Sequence, residues 1–399
     1  WWVGLLGKLH RPMSDREKQS GVSAIVLAAG MSRRMGTPKQ LLRLAGETIL
    51  EHTLKNVRAS NVSEIVLVLG HAAESVEKEI STERVKIVRN QDYQQGMGTS
   101  LRTGLAAVDA SASAALIVLA DQPFVRPETI NQLIACHQNV NQDVNEEEKP
   151  QIVIPVFNGF RGNPVLLDRS VFAELQSLTG DVGCRAIFGN HTENIRKLAV
   201  EDIGVLLDID SQEEYKKFES AEAGKPNESG SSKLTPLESR ADLPADRPEL
   251  IIGGRDAVAQ ALAKFGHLLN FNVTIVDPLL ALAEMPDADR ILHVLDFSLL
   301  PQAADRYVVV ASRGLFDEEA IEQALRTSAA YVALLANKKR ADDVTRSLRA
   351  KSIAEEKLSE EKLSSMRAPA GLNIGAESAE EIALSIMAEI VAVRHKARQ

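Results

Sequence analysis

The sequence predicts an α/β protein of two units, each built on a mostly parallel sheet, joined by a linker. Three observations carry this expectation. At 399 residues the chain exceeds what one hydrophobic core ordinarily organises. Short apolar runs alternate with helix-like segments from Ser23 to about Phe218, and the alternation restarts at Leu250; this pattern gives parallel strands covered by helices on both faces. Between the two, Glu219–Pro248 is polar and rich in Pro, Gly and Ser, which reads as a flexible linker. The expected boundaries are an extension at 1–20, a first domain at 21–218, the linker at 219–248 and a second domain at 249–399.

In the first domain, Ala24–Ala29 is a short apolar run stopped by Gly30, a buried strand feeding a loop. Further strands are expected at Glu64–Leu69, Val85–Arg89, Ala115–Ala120 and Ile152–Val156, and helices at Glu47–Arg58, Ala72–Ile80, Ser100–Val108 and Pro127–Gln138. The insert N-Q-D-V-N-E-E-E-K-P, Asn141–Pro150, reads as a mobile loop. The second domain is expected to place strands at Leu250–Ile252, Val273–Val276, Ile291–Val294, Tyr307–Val310 and Tyr331–Leu335. Its helices fall at Asp256–Leu269, Asp317–Thr327, across the charged segment Lys338–Leu363 and at Ala379–His395.

Composition excludes several function classes. A formal charge of −9 leaves no basic excess for general nucleic-acid binding, so any phosphate site must be local. No apolar run approaches the roughly 18 to 20 residues that span a bilayer, so no membrane role is expected. Cys136 and Cys184 match no metal spacing, and two thiols in a chain this long suggest a reducing, cytoplasmic setting. The opening W-W-V-G-L-L-G-K-L-H-R-P reads as an extension ahead of a start at Met13, with an amphipathic anchor as the alternative.

The stretch V-L-A-A-G-M-S-R-R-M-G-T-P-K-Q-L, Val26–Leu41, sets two glycines and three cations directly after a strand. Glycine allows backbone N–H groups to approach an anion, and Arg34 and Lys39 would neutralise it. The segment asks for a phosphate. It is not a Walker A loop, because no G-K-[ST] closes it. Taken singly, Arg34 and Lys39 would be ordinary surface cations.

Leu27–Lys39, L-A-A-G-M-S-R-R-M-G-T-P-K, resembles the L-A-(A/G)-G-x-S-x-R-M-G-x-x-K signature of nucleotidyltransferases. Six more motifs follow: V-L-G-H-A-A-E (Val68–Glu74), N-Q-D-Y-Q-Q-G-M-G-T-S-L (Asn90–Leu101), L-A-D-Q-P (Leu119–Pro123), R-G-N-P-V (Arg161–Val165), G-D-V-G-C-R (Gly180–Arg185) and D-I-D (Asp208–Asp210). Their order resembles that of molybdenum cofactor cytidylyltransferases over about 195 residues. The resemblance implies a Rossmann-like nucleotidyltransferase domain that moves CMP from CTP to a molybdopterin phosphate with Mg²⁺. A sugar or polyol phosphate is the alternative acceptor, and a non-catalytic cofactor chaperone the alternative role.

On that reading Gly30, Ser32, Arg34 and Gly36 surround the triphosphate and Lys39 supports it as a point charge. Ala28 and Ala29 stand where related guanylyltransferases carry Gly-Gly, which narrows the base pocket toward a pyrimidine. Gly98 and Ser100 lie near the nucleoside, although Ser100 could equally cap the helix that follows. Asp121, ending a strand at the carboxyl edge of the sheet, would hold Mg²⁺ with Asp210 and, after it, Asp208. The alternatives are a helix cap or turn role for Asp121 and a helix start at Asp208–Asp210. His71 either meets the acceptor or ends a strand. Arg161 and Asn163 are implied on the acceptor side, Asn163 standing where relatives often carry His.

In the second domain, L-I-I-G-G-R-D-A-V-A-Q-A-L (Leu250–Leu262), V-T-I-V-D-P (Val273–Pro278) and Arg367–Ile390 resemble the Rossmann domain of the xanthine dehydrogenase accessory family (XdhC/CoxI-like). This implies delivery of cofactor to a molybdenum hydroxylase client of the xanthine dehydrogenase or CO dehydrogenase type. Asp277 stands where such folds place a ribose-binding acid. The family's Gly-x-Gly becomes Gly254-Arg255-Asp256, and a carboxylate there blocks and repels pyrophosphate.

Overall fold

The computed structural model describes residues 21–31, 38–138, 149–178, 180, 183–222, 235–240, 243–301, 303, 305–355 and 358–396. The extension at 1–20, Ser32, Arg34, Gly36 and residues 141–148 of the expected loop therefore lie outside the described residues. The chain forms two compact units. Unit 1 runs to Val153 and adds Pro164–Cys184; unit 2 comprises Ile154–Asn163 and everything from Arg185 onward.

Unit 1 is an α/β sheet. Its strands and helices are, in order, β1 (Val22–Ala28), the short pair β2 (Arg43–Leu44) and β3 (Glu47–Thr48), α1 (Ile49–Arg58), β4 (Glu64–Leu69), α2 (Ala73–Glu79), β5 (Val85–Arg89), α3 (Met97–Ala107), β6 (Ala114–Leu119) and α4 (Pro127–Gln138). β7 (Ile152–Phe157) carries the chain into unit 2 and the hairpin strand β8 (Phe160–Arg161); β9 (Val165–Asp168) and α5 (Phe172–Gln176) then complete unit 1. Within unit 1 the sheet order is β7-β9-β6-β1-β4-β5, and the part of β7 that lies in unit 2 pairs with β8 and with a further strand, Ile195–Ala199. β1, β4, β5 and β6 are mutually parallel, while β9 runs antiparallel to β6 and β7. The centre of the sheet is buried on both faces, which is why V-S-A-I-V-L-A reads as a continuous apolar run.

In unit 2, β10 (Ile195–Ala199) and α6 (Gln212–Glu222) precede β11 (Leu237–Ser239), β12 (Glu249–Gly253), α7 (Ala257–Leu268), β13 (Asn272–Val276), β14 (Arg290–Leu292) and β15 (Arg306–Val310). There follow α8 (Asp317–Arg326), β16 (Tyr331–Leu334), α9 (Lys338–Glu355), α10 (Glu360–Ser365) and α11 (Ala379–Lys396). The sheet order is β11-β14-β13-β12-β15-β16, all parallel except β11. β11 lies inside the stretch expected to be linker: Leu237–Ser239 pair with Leu292–Arg290. The Ser359 N-cap, which accepts from Lys362 N, starts α10 as a separate helix within the expected Lys338–Leu363 helix. Among the described residues no helix is long and apolar enough to cross a membrane.

Residues 154–163 show why this segment belongs to unit 2. Asn158 and Gly159 both have positive φ, 50° and 87°, the signature of a two-residue I′ hairpin turn between β7 and β8. The turn presents Phe160, 2% exposed, to a core containing Val276, Leu292, Leu295, Phe297 and Phe316. Its ring meets Phe316 edge-on at 5.0 Å.

Candidate functional site

The carboxyl ends of β1 and β6 are adjacent, since Leu27 pairs with Leu119. The loops leaving these two strands, one from Ala29 and one from Ala120, therefore open at the same edge, where open α/β sheets place ligands. A cavity of about 460 Å³ lies there, lined by residues that include Ala29, Gly30, Lys39, Gln40, Ser100 and Asp121. Lys39 Nζ contacts Asp121 Oδ2 directly, and both side chains are largely buried, at 19% and 15% exposure. α1 fixes the loop that carries Asp121: Thr53 Oγ1 donates to Ala120 O at 3.2 Å and Asn56 Nδ2 to Pro123 O at 2.8 Å.

The wall opposite is the start of α3. Gly96 and Met97 line the cavity, and a helix N-terminus offers N–H donors to an anion. Two of those donors are already taken: Gly98 N donates to Gly180 O at 3.2 Å and Thr99 N to Gly96 O at 3.3 Å. α3 begins at Met97, three residues earlier than the expected helix, so Ser100 lies within its first turns and is not its cap. Asn90, buried beneath, donates from Nδ2 to Thr99 Oγ1 at 2.8 Å and Ser100 Oγ at 2.9 Å. Thr99 and Ser100 are thus held by the residue that follows β5.

Gly70, ending β4, must be glycine. A Cβ there would stand 2.6 Å from the Cβ of Tyr93 and 2.9 Å from that of Ala29. This close approach brings the next residue, His71, to the site's rim, where its N–H donates to Ala29 O at 3.2 Å and its ring lies 6.0 Å from that of Tyr93. At Gly30, by contrast, a Cβ would meet nothing within 4 Å. Among the described residues nothing therefore crowds Gly30 at the cavity wall.

The structure thus brings together Ala29, Gly30, Lys39, Ser100 and Asp121, with Ala28, His71 and Gly98 adjoining. It places Arg161, Asn163, Asp208 and Asp210 in unit 2. Arg161 Nε contacts the buried Glu319 of α8, and Asn163 N donates to Val205 O at 2.9 Å. Burial would raise the Glu319 carboxyl, but Arg161 and Lys197 hold it below its ordinary value. Near Asp210, Ser211 Oγ accepts from Glu214 N while Glu214 Oε2 accepts from Ser211 N, a reciprocal capping box that starts α6. Among the described residues no three His, Cys, Asp or Glu side chains gather as a metal centre. Sequence reasoning missed Gln40, Asn56 and Asn90; their signal was polar residues beside the loops of a sheet edge.

The family model of the MobA-like NTP transferase domain matches residues 24–195, and that of the XdhC Rossmann domain matches residues 250–390. The chain joins a MobA-like NTP transferase domain to an XdhC Rossmann domain. Nicotine blue oxidoreductase of Paenarthrobacter nicotinovorans is 28% identical over 198 residues, 48% of this chain and 94% of that protein. Uncharacterized protein YqeB of Escherichia coli K12 is 32% identical over 158 residues, 38% of this chain and 28% of YqeB. The crystal structure of Rv0371c from Mycobacterium tuberculosis H37Rv is 30% identical, covering 50% of this chain and 98% of that one, with a TM-score of 0.44.

In the XdhC Rossmann domain the edge expected to meet pyrophosphate is closed by the chain's own groups. Gly254, at φ 123°, lets β12 turn against Ala311, whose carbonyl oxygen would stand 2.5 Å from a Cβ. Asp256 then caps α7: it accepts from Ala259 N at 3.0 Å and from Arg313 Nε at 2.7 Å. Asp277 is buried and accepts from Leu279 N and Leu280 N, both at 2.9 Å, with Arg255 at 3.9 Å. Burial pushes the Asp277 carboxyl up from its ordinary value, against the pull of Arg255 and the two N–H groups.

Proposed function

We propose that the MobA-like domain transfers CMP from CTP to the phosphate of a molybdopterin-type acceptor and releases pyrophosphate. The observation that carries this is the Lys39–Asp121 pair in a cavity at the carboxyl ends of two parallel strands, facing the start of α3. In the reaction an acceptor phosphate oxygen bonds to the α-phosphorus of the nucleotide. The bond from that phosphorus to the bridging oxygen breaks, and the electron pair leaves with pyrophosphate. The acceptor is already ionised near neutral pH, so no general base is required. Catalysis is then positioning plus stabilisation of charge on the departing oxygens.

Lys39, at the cavity beside the start of α3, is the donor placed for that charge. Mg²⁺, when bound, neutralises phosphate oxygens and aligns them; Asp121 suits it, since this ion is commonly held by one or two carboxylates together with phosphates. Ala28 and Ala29 narrow the base side by two methyl groups relative to Gly-Gly, which favours a pyrimidine. The XdhC Rossmann domain supports a molybdenum hydroxylase as recipient of the product. Cytoplasmic residence agrees with a chain of this length holding only two cysteines, Cys136 and Cys184.

The test incubates full-length protein with Mg²⁺, molybdopterin and each nucleoside triphosphate, then identifies products by mass and quantifies pyrophosphate. CTP should exceed GTP by at least about tenfold in kcat/KM, the scale of a methyl-group difference in a pocket. Equal rates with both refute the base assignment. Release of pyrophosphate with a sugar phosphate and none with molybdopterin moves the reading to the other acceptor class. No transfer to any acceptor supports a chaperone role.

A further inference from the structure

Gln40 follows Lys39 in the 3₁₀ turn Lys39–Leu41 and is 3% exposed. Its Nε2 donates to Ala28 O at 3.0 Å and to Gly30 O at 3.2 Å. Its Oε1 is buried and has no hydrogen-bond partner among the described residues. Turning the amide over would set that oxygen against two carbonyl oxygens, so hydrogen bonding fixes its orientation. A buried acceptor left unpaired costs about 1–3 kcal/mol. Methionine, of similar length, would fill the same space without that orphaned oxygen but would withdraw the donor from Ala28 O and Gly30 O. The two bonds from Nε2 offset the unpaired Oε1 and account for glutamine here.

Those bonds join two parts of the cavity wall that are ten residues apart in sequence. One is the end of β1 and the residues just after it, where Ala28 O and Gly30 O flank Ala29. The other is the turn that carries Lys39. We propose that Gln40 is a positioning residue of the nucleotide site, tying the turn to the strand end so that the Lys39 ammonium stays beside Asp121 at the cavity. This rests on the nucleotide reading above. Gln40 acts through Lys39 and does not itself touch the reacting atoms.

The experiment is a double-mutant cycle on the full chain with Gln40→Met, Lys39→Ala and the double variant. It reads CTP affinity by calorimetry in Mg²⁺, the KM and kcat for CTP, and the melting temperature. Gln40→Met should weaken CTP binding and raise its KM by about tenfold, with melting within roughly 3 °C of wild type, the shift expected of about 1 kcal/mol. The double variant should bind no worse than Lys39→Ala, because the two residues act as one unit. Should Gln40→Met fail to fold, Gln40→Asn retains the amide but is one methylene short of reaching both carbonyls, and the same loss is expected. Wild-type affinity in a folded Gln40 variant, or fully additive losses in the cycle, overturns the proposal. Absence of nucleotide binding by the wild type overturns the nucleotide reading and this inference with it.

Discussion

Asp256→Gly should lower stability slightly and open a nucleotide site in the XdhC Rossmann domain. Asp256 holds two partners, Ala259 N at 3.0 Å and Arg313 Nε at 2.7 Å. Replacing an aspartate cap with glycine costs a few tenths of a kcal/mol. The pair with Arg313, which is 66% exposed, adds about 1 kcal/mol at most. The melting temperature should accordingly fall by roughly 2–4 °C. In return α7 regains a free first-turn N–H, the carboxylate that repels phosphate disappears, and Arg313 is released to an anion. NAD⁺ is the appropriate probe in the full chain, because the MobA-like domain is read as a nucleoside triphosphate site. Calorimetry should find wild-type affinity weaker than about 1 mM and the variant about tenfold tighter, a change of about 1.4 kcal/mol. Micromolar NAD⁺ binding by the wild type would refute the closed-edge reasoning. An unchanged affinity in a folded variant would show that Asp256 is not what excludes the ligand.

Phe160→Ala should destabilise unit 2 by about 3–5 kcal/mol, the usual cost of removing a buried phenylalanine; a urea midpoint close to wild type would show that the hairpin is dispensable to the core. Asp121→Asn should lower kcat/KM by about 10² to 10³, comparable to the loss of one preorganised charge-stabilising group, with circular dichroism unchanged. Near wild-type turnover of this variant at saturating Mg²⁺ would sink the assignment. For Asp168, burial alone would raise the carboxyl, but hydrogen bonds from His137, Ser170 N and Lys149 outweigh it and hold the group well below the ordinary range. Its contribution to folding is therefore present above the unfolded value of about 3.9 and lost as pH falls. Urea midpoints should show Asp168→Asn weaker than wild type at pH 7, with the difference narrowing below about pH 4; a pH-independent difference would contradict this.

The parallel strands of both sheets were legible because strands buried on both faces leave uninterrupted apolar runs, as in Ala24–Ala29 and Tyr307–Val310; the antiparallel β9 was not expected. Their ends were less so. α3 starts at Met97 because Gly96, at φ 109°, makes the turn, and Gly98 and Ser100 are then helical; sequence spacing had put the helix start at Ser100. β11 was invisible because three residues among Pro and Ser carry no period, and only pairing with β14 makes them a strand. Lys39 and Asp121 lie 82 residues apart in sequence, and their meeting depends on β1 and β6 being neighbours. A motif can name both residues without showing that they touch.

The R-G-N-P segment separates two kinds of information that a motif carries together. As sequence, Arg161 and Asn163 belong to a motif that the resemblance to molybdenum cofactor cytidylyltransferases puts on the acceptor side. In the fold, the I′ turn at Asn158–Gly159 lies two residues upstream of Arg161, and Phe160 between them is buried in the core of unit 2. Arg161 then meets Glu319, which is buried and receives Lys197 as well at 3.3 Å. Removing Arg161 would leave the buried Glu319 with Lys197 alone, a partner 42% exposed, and weaken a buried charge pair. Loss of activity in an Arg161 variant is therefore weak evidence for acceptor binding, since the same loss follows from a poorly compensated Glu319. The double replacement Arg161→Met with Glu319→Leu separates the two causes, because it removes both charges together. Recovery of acceptor KM in that double variant would assign Arg161 to packing, and a persistent rise in KM with restored melting temperature would assign it to the acceptor.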